Sequence, residues 1–111
     1  MARTLKRGDI YQYDFKKPDK TRPVVILTRD DVIPLLSTVM VAPILSTIYG
    51  IPTSEVVVGI EQGLKKSCAI NLDHVQTVDQ TRLNKFIAHL DDNLMEQVCE
   101  ALAKAVSCPE K

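Results

Sequence analysis

The sequence is poor in the residues that mark several common classes of protein. It has no tryptophan and only 5% aromatic residues against 45% apolar residues, so its core must be largely aliphatic. No stretch approaches the length of a membrane span, and the N-terminal basic residues lack the apolar segment of a signal peptide. The formal net charge is +0, so any recognition of a polyanion must come from a local patch.

The cysteines give no sign of a disulfide-rich protein. Cys68, Cys99 and Cys108 are an odd number without CxxC spacing, which argues against a disulfide framework and favours a reducing compartment. No residues have metal-ligand spacing and no glycine pattern cradles a nucleotide, so neither a metal nor another cofactor is predicted. A chain of 111 residues is expected to form one domain, 1–111, in the cytoplasm.

The order of apolar runs and turns predicts a mainly β chain that ends in a helix. Asp91 is a natural N-cap for this helix, in which apolar residues recur at helical spacing until Pro109 ends it. Strands are predicted at 9–15, 23–28, 38–45, 55–60, 67–72 and 85–90. The first of these is expected to be half-exposed, and the third to be broken or bulged at Pro43. Asp79 is expected to cap a short helical turn. The predicted fold is α+β, mainly β: a small β-barrel or strongly bent sheet with a helix packed on it.

Arg22 is the first candidate functional residue. It precedes Pro23 and the apolar run Val24–Leu27, which predicts a strand buried on both faces with Pro23 at its first position. A permanent cation at the mouth of a rigid strand suits an anion, although a structural ion pair would explain it as well. Three lysines in the preceding turn, Lys16, Lys17 and Lys20, add local positive charge typical of a polyanion site or of a solvated turn.

Two further groups carry candidate chemistry. Ser46 and Thr47 follow the third predicted strand, where hydroxyls can bind a phosphate or a 2′-OH or serve in an ordinary turn. Asn71, Asp73 and His74 stand at the end of the fifth, and the Asp-His pair suits acid–base work if the strand has ended there. A lone surface histidine is the alternative. Such parts would suit a metal-free ribonuclease, because RNA supplies its own 2′-OH nucleophile, or a binding module.

Six segments follow one another in a recognisable order. They are Arg7-Gly8-Asp9-Ile10-Tyr11, Arg22-Pro23-Val24-Val25-Ile26-Leu27, Val41-Ala42-Pro43-Ile44, Gly50-Ile51-Pro52-Thr53, Asp73-His74-Val75-Gln76-Thr77-Val78-Asp79 and the closing helix. In this order they resemble the MazF/PemK (Kid) family of toxins over residues 7–106. The resemblance implies an SH3-like small β-barrel with a C-terminal amphipathic helix, built as a homodimer.

The same resemblance implies a function. Members are sequence-specific, metal-independent endoribonucleases of type II toxin–antitoxin systems, which cleave single-stranded mRNA by 2′-OH attack. A small antitoxin would inhibit the enzyme with a disordered segment, and the toxin–antitoxin complex would bind operator DNA. No membrane partner is implied.

The resemblance also assigns residues. Arg22 matches the family's catalytic arginine, which holds the scissile phosphate. Leu45 stands where the family usually has a threonine, so the hydroxyl role passes to Ser46 or Thr47. The predicted catalytic residues are therefore Arg22, Ser46 and Thr47, and the predicted RNA-binding residues are Lys16, Lys17, Lys20, Asn71, Asp73, His74 and Gln76.

Two alternatives remain open from the sequence. One is a non-catalytic toxin similar to CcdB, which shares the fold and binds DNA gyrase. The other is a catalytically weak homologue that mainly binds its antitoxin. Fold alone does not separate these functions.

Overall fold

The computed structural model describes residues 4–15, 21–50 and 54–107. These ranges contain seven strands and one α-helix: β1 (Asp9–Asp14), β2 (Thr21–Ile26), β3 (Thr38–Leu45), β4 (Glu55–Val58), β5 (Cys68–Asn71), β6 (Gln76–Asp79), β7 (Leu83–His89) and α1 (Asp92–Ala105). Four short 3₁₀ turns connect them, at Ile33–Leu35, Ile60–Gln62, Leu72–His74 and Gln80–Arg82. No helix in these ranges has the length and apolar character needed to cross a bilayer.

Five of the strands form a small barrel. All pairings are antiparallel, and the hydrogen-bonded path runs β7-β1-β2-β3-β6. The two strands at the ends of this path, β6 and β7, are joined by the 3₁₀ turn Gln80–Arg82, so the sheet curves back on itself. β5 and β4 extend the sheet from the other half of β3. The predicted mainly β fold with a C-terminal helix is confirmed.

The core divides into two clusters because successive strand residues face opposite sides of the sheet. In β1 and β2, Ile10 and Val25 belong to a cluster that includes buried residues of α1, whereas Tyr11 and Val24 belong to the cluster inside the barrel. Both faces of β1 are therefore covered, and β1 has a paired strand on each side. The prediction of a half-exposed first strand is wrong for this reason.

Both strand prolines occupy positions that the sheet accommodates. Pro23 is the third residue of β2 rather than the first, and it is tolerated because pairing with β3 begins only at Val24. β3 runs unbroken through Pro43, contrary to the predicted break. Its pairing nevertheless changes there: β6 pairs with Thr38–Val41, and β5 pairs with Ile44 and Leu45.

The predicted helical caps are confirmed. The Asp91 carboxylate accepts a hydrogen bond from the Leu94 N–H at 2.8 Å and begins α1. The Asp79 carboxylate accepts from the Thr81 N–H at 2.9 Å and begins the turn Gln80–Arg82. α1 ends at Ala105, and Pro109 lies outside the described residues.

Candidate functional site

Arg22 extends from one of the most buried strands of the barrel. Val24, Val25 and Ile26 are completely buried, so β2 fixes the backbone from which the half-buried Arg22 side chain projects. Arg22 pairs with Tyr13 across the sheet and lies on the same face as Val24, at the mouth of the barrel.

Arg22 does not take part in an ion pair within the described ranges. The pairs found there are Arg29 with Asp31 at 3.2 Å and His89 with Asp9 at 2.7 Å. The described residues thus contain no structural carboxylate partner of the kind that the sequence left open for Arg22.

A cavity of about 280 Å³ lies beside Arg22. Five parts of the chain line it: the residue after β1, the start of β2, the end of β3, the loop after β3, and the segment from the turn Leu72–His74 to the first residue of β6. The lining residues are Phe15, Arg22, Pro43, Leu45, Tyr49, His74 and Gln76. None of these seven is acidic, and they combine one permanent cation with polar, aromatic and apolar side chains. Such a lining suits an anion attached to a flat ring system.

The predicted site residues divide into three groups. Arg22, His74 and Gln76 line the cavity together. Ser46 and Thr47 are exposed beside it, directly after Leu45, but they do not line it. The third group, Lys16, Lys17 and Lys20, lies outside the described residues.

Asn71 and Asp73 form a supporting network behind the cavity. β5 ends at Asn71, a buried residue whose side-chain oxygen accepts a hydrogen bond from the Asp73 N–H at 2.9 Å. The Asp73 carboxylate accepts from the Ser54 hydroxyl at 2.5 Å, and the Leu72 N–H donates to the Ser54 carbonyl at 3.0 Å. These bonds hold the turn Leu72–His74, which brings His74 to the cavity.

Two aromatic lining residues were not predicted from the sequence. Phe15 follows β1 and packs edge-on against Tyr13, with ring centroids 4.8 Å apart. Tyr49 lies in the loop after β3, and its backbone N–H donates to the buried Glu55 carboxylate at 2.9 Å. Aromatic residues beside the predicted arginine strand were the available signal, but only the folded loops show that they face one cavity.

A further carboxylate of the described residues, at the end of β1, is also engaged. Asp14, paired with Thr21 in the β1–β2 ladder, accepts hydrogen bonds from the Thr21 hydroxyl and from Asn84 at 2.8 Å. The Thr21 bond is the main cause that lowers the pKa of Asp14, followed by the Asn84 bond and the nearby charge of Arg82. In the described ranges, no cluster of three or more His, Cys, Asp and Glu side chains could hold a metal ion.

A small β-barrel whose cavity contains an arginine and aromatic rings is a geometry suited to an anionic ligand. The chain matches the model of the PemK-like, MazF-like toxin of type II toxin–antitoxin systems over residues 6–106. It therefore belongs to this toxin family, as its motifs predicted.

Individual relatives agree with this assignment. The chain is 34% identical to the probable endoribonuclease MazF5 of Mycobacterium tuberculosis, covering 92% of this chain and 93% of the relative. It is 32% identical to the endoribonuclease EndoA of Bacillus subtilis, covering 88% and 90%. The structure of the M. tuberculosis toxin MazF-mt6 superposes with a TM-score of 0.83 at 34% identity, covering 92% and 99%. These relatives support the ribonuclease hypothesis over the gyrase-binding alternative.

Proposed function

We propose that this protein is an endoribonuclease toxin that cleaves single-stranded RNA. The observation that carries the proposal is Arg22, a cation on a buried strand. Among the described residues it has no carboxylate partner, and none of those that line its cavity is acidic. The names of the relatives and the family to which the chain belongs support the same activity.

The reaction requires little chemistry from the protein. The RNA 2′-OH attacks the adjacent phosphorus, the bond to the 5′-oxygen breaks, and a cyclic phosphate and a 5′-OH result. Negative charge grows on the phosphate oxygens as the attack proceeds, so donors placed in advance stabilise the transition state more than the substrate. The forked guanidinium of Arg22 suits two phosphate oxygens. Phe15 and Tyr49 offer faces on which bases can stack.

The other predicted residues keep secondary roles in the proposal. Ser46 and Thr47, exposed at the rim, would hydrogen-bond the RNA backbone, and Gln76 would contact the RNA within the cavity. Lys16, Lys17 and Lys20 would attract the strand. Asn71 and Asp73 would act through the turn that they hold.

The proposal extends to partners and setting. A small antitoxin with a disordered segment would cover the cavity, and its complex with the toxin would bind operator DNA, as the toxin–antitoxin family suggests. A homodimer would cover exposed apolar side chains, among them Leu35 and Ile60. Residues 1–111 would act as one domain in the cytoplasm, where the RNA substrate is found.

The test is cleavage of long single-stranded RNA in EDTA, followed by mapping of the new 5′ ends. We expect discrete cuts, lost when the cut site carries a 2′-deoxy sugar. Arg22→Ala should lower the rate about 10²–10³-fold, the usual effect of removing a donor to a developing oxyanion. The matched control is Arg29→Ala, which removes an exposed arginine outside the cavity and should leave the rate unchanged. RNA that stays intact with the wild-type protein, or equal rates for both variants, would contradict the proposal.

A further inference from the structure

The proposed cleavage needs a group that accepts the proton of the attacking 2′-OH. Among the described residues, the lining side chains with polar groups are Arg22, Tyr49, His74 and Gln76. A guanidinium stays protonated in proteins, an amide does not titrate, and a phenol is almost entirely protonated at neutral pH. An imidazole is different, because its neutral form carries a free lone pair and is abundant near pH 7.

Three carboxylates of the described segments next to the lining residues already accept hydrogen bonds. Asp73 accepts the Ser54 hydroxyl, Glu55 accepts the Tyr49 N–H, and Asp14 accepts from Thr21 and Asn84. None of these three carboxylates lines the cavity. Each is better placed to hold its own segment than to accept a proton from RNA.

His74 has the opposite character. It is exposed, it lines the cavity with Arg22, and neither ring nitrogen has a hydrogen-bond partner within the described ranges. Its backbone is nevertheless fixed, because it is the last residue of the turn held by Asn71, Ser54 and Asp73. A base with a free ring nitrogen, carried on a fixed backbone beside the cation proposed to bind the phosphate, is an arrangement suited to proton abstraction.

The charged and titratable groups near His74 lie in the cavity, on its own turn and on the elements packed against that turn. Arg22 and Tyr49 share the cavity, and Asp73 lies on the same turn. Of the elements packed against this turn, β3 has no titratable residue, and α1 meets it through the apolar cluster that contains Leu72. The titratable residues of α1 are all exposed: Asp92, Glu96, Cys99, Glu100 and Lys104.

We propose that His74 is the general base of the cleavage, an inference that rests on the proposed ribonuclease function. The neutral imidazole takes the proton from the 2′-OH as the bond between the 2′-oxygen and phosphorus forms. The bond between phosphorus and the 5′-oxygen breaks, and the 5′-oxygen takes a proton from water. The hydroxide left behind takes the proton of the imidazolium, which restores neutral His74 and balances the reaction.

The experiment compares His74→Ala with His89→Ala, the corresponding change at the only other histidine of the chain. His89 bonds the buried Asp9 at 2.7 Å and does not line this cavity. His74→Ala should lower the cleavage rate at pH 7 about 10²-fold or more, the usual contribution of a general base. Binding of an RNA with a 2′-deoxy sugar at the cut site should remain near the wild-type level. His89→Ala should retain the cleavage rate.

Two readouts separate proton transfer from a structural role. The wild-type rate should rise with pH through the range in which imidazole loses its proton and then level off, and His74→Ala should lose this rise. Added imidazole should restore part of the rate of His74→Ala but not that of Arg22→Ala. If His74→Ala keeps the wild-type rate and pH profile while Arg22→Ala is inactive, this inference is wrong and the proposed function stands. If the wild-type protein leaves RNA intact, both are wrong.

Discussion

Gln80 ties together two connections at one end of the barrel. Its side-chain amide nitrogen lies 2.9 Å from the Ile33 carbonyl, 2.9 Å from the Leu36 carbonyl and 3.2 Å from the Thr38 carbonyl. Its backbone N–H donates to the Ser37 carbonyl at 3.0 Å. The side chain thus satisfies carbonyls across the connection between β2 and β3, a segment without a regular sheet partner before Thr38.

We expect Gln80→Ala to destabilise the protein by about 1–3 kcal/mol. The amide has two hydrogens for three carbonyls, so about two full hydrogen bonds are lost, each with a net value of about 0.5–1.5 kcal/mol. For a domain of this size, each kcal/mol lowers the Tm by roughly 4 °C, so a decrease of roughly 4–12 °C is expected. Urea and thermal unfolding followed by circular dichroism would measure both quantities.

Gln97→Ala is the matched control, because Gln97 is an exposed residue of α1 that makes no side-chain hydrogen bond in the described part of the structure. Its effect should stay within about 0.5 kcal/mol. Gln80→Glu adds a second test. The introduced carboxylate would face three carbonyl oxygens, which raises its pKa in the folded state, so the loss of stability should be small below about pH 4 and grow as pH rises. Equal stability of the Gln80→Ala and Gln97→Ala variants would refute the role assigned to Gln80.

Three further predictions concern the caps and the cavity. Hydrogen bonds from the Thr81 hydroxyl and then the Thr81 N–H lower the pKa of Asp79, so its contribution to stability should be lost as pH falls through the folded-state pKa. Urea titrations below about pH 4 should therefore show a weaker pH dependence for Asp79→Asn than for the wild type. Asp91→Ala should lower the free energy of unfolding, measured by urea titration, by about 1 kcal/mol. Asp91→Asn should lower it much less, because asparagine also caps helices. Leu45→Thr should cleave RNA about tenfold faster than Leu45→Val in the RNA cleavage assay described above. The two variants differ only by a hydroxyl in place of a methyl group, and one hydrogen bond of about 1.4 kcal/mol from this hydroxyl corresponds to a tenfold rate. Equal rates would contradict this prediction.

Local sequence signals predicted the strands, turns and helix well, but they did not predict which other elements pack around each one. Asp79 and Asp91 were recognised as caps because capping depends on residues only two or three positions away. The burial of β1 was not recognised from the sequence. Its alternating polar residues do not reveal that β2 and β7 flank it and that both of its faces are covered. The change of partner at Pro43 likewise depends on where β5 and β6 meet β3.

The candidate site shows the same division. The position of Arg22 in front of a buried strand was predictable, because consecutive apolar residues, Val24 to Leu27, indicate that strand. His74 was singled out at a strand end, and the structure adds that β5 has indeed ended before it. Which loop residues face the cavity was not predictable: Tyr49 and Leu45 line it, whereas Ser46 and Thr47 between them do not. Loop orientation is set by contacts such as that of Tyr49 with Glu55, which no sequence period encodes.

The pairing of β1 with β7 bears on how the protein is made. β1 spans Asp9–Asp14 and β7 spans Leu83–His89, so this ladder of the barrel joins segments that are synthesised near the beginning and near the end of translation. Contacts of such long sequence separation form late, because the intervening chain must first be ordered. The barrel therefore cannot close on the ribosome until β7 has emerged, although every residue that lines the cavity has been made by then. We therefore expect the folded cavity to form only in the last part of synthesis or after it.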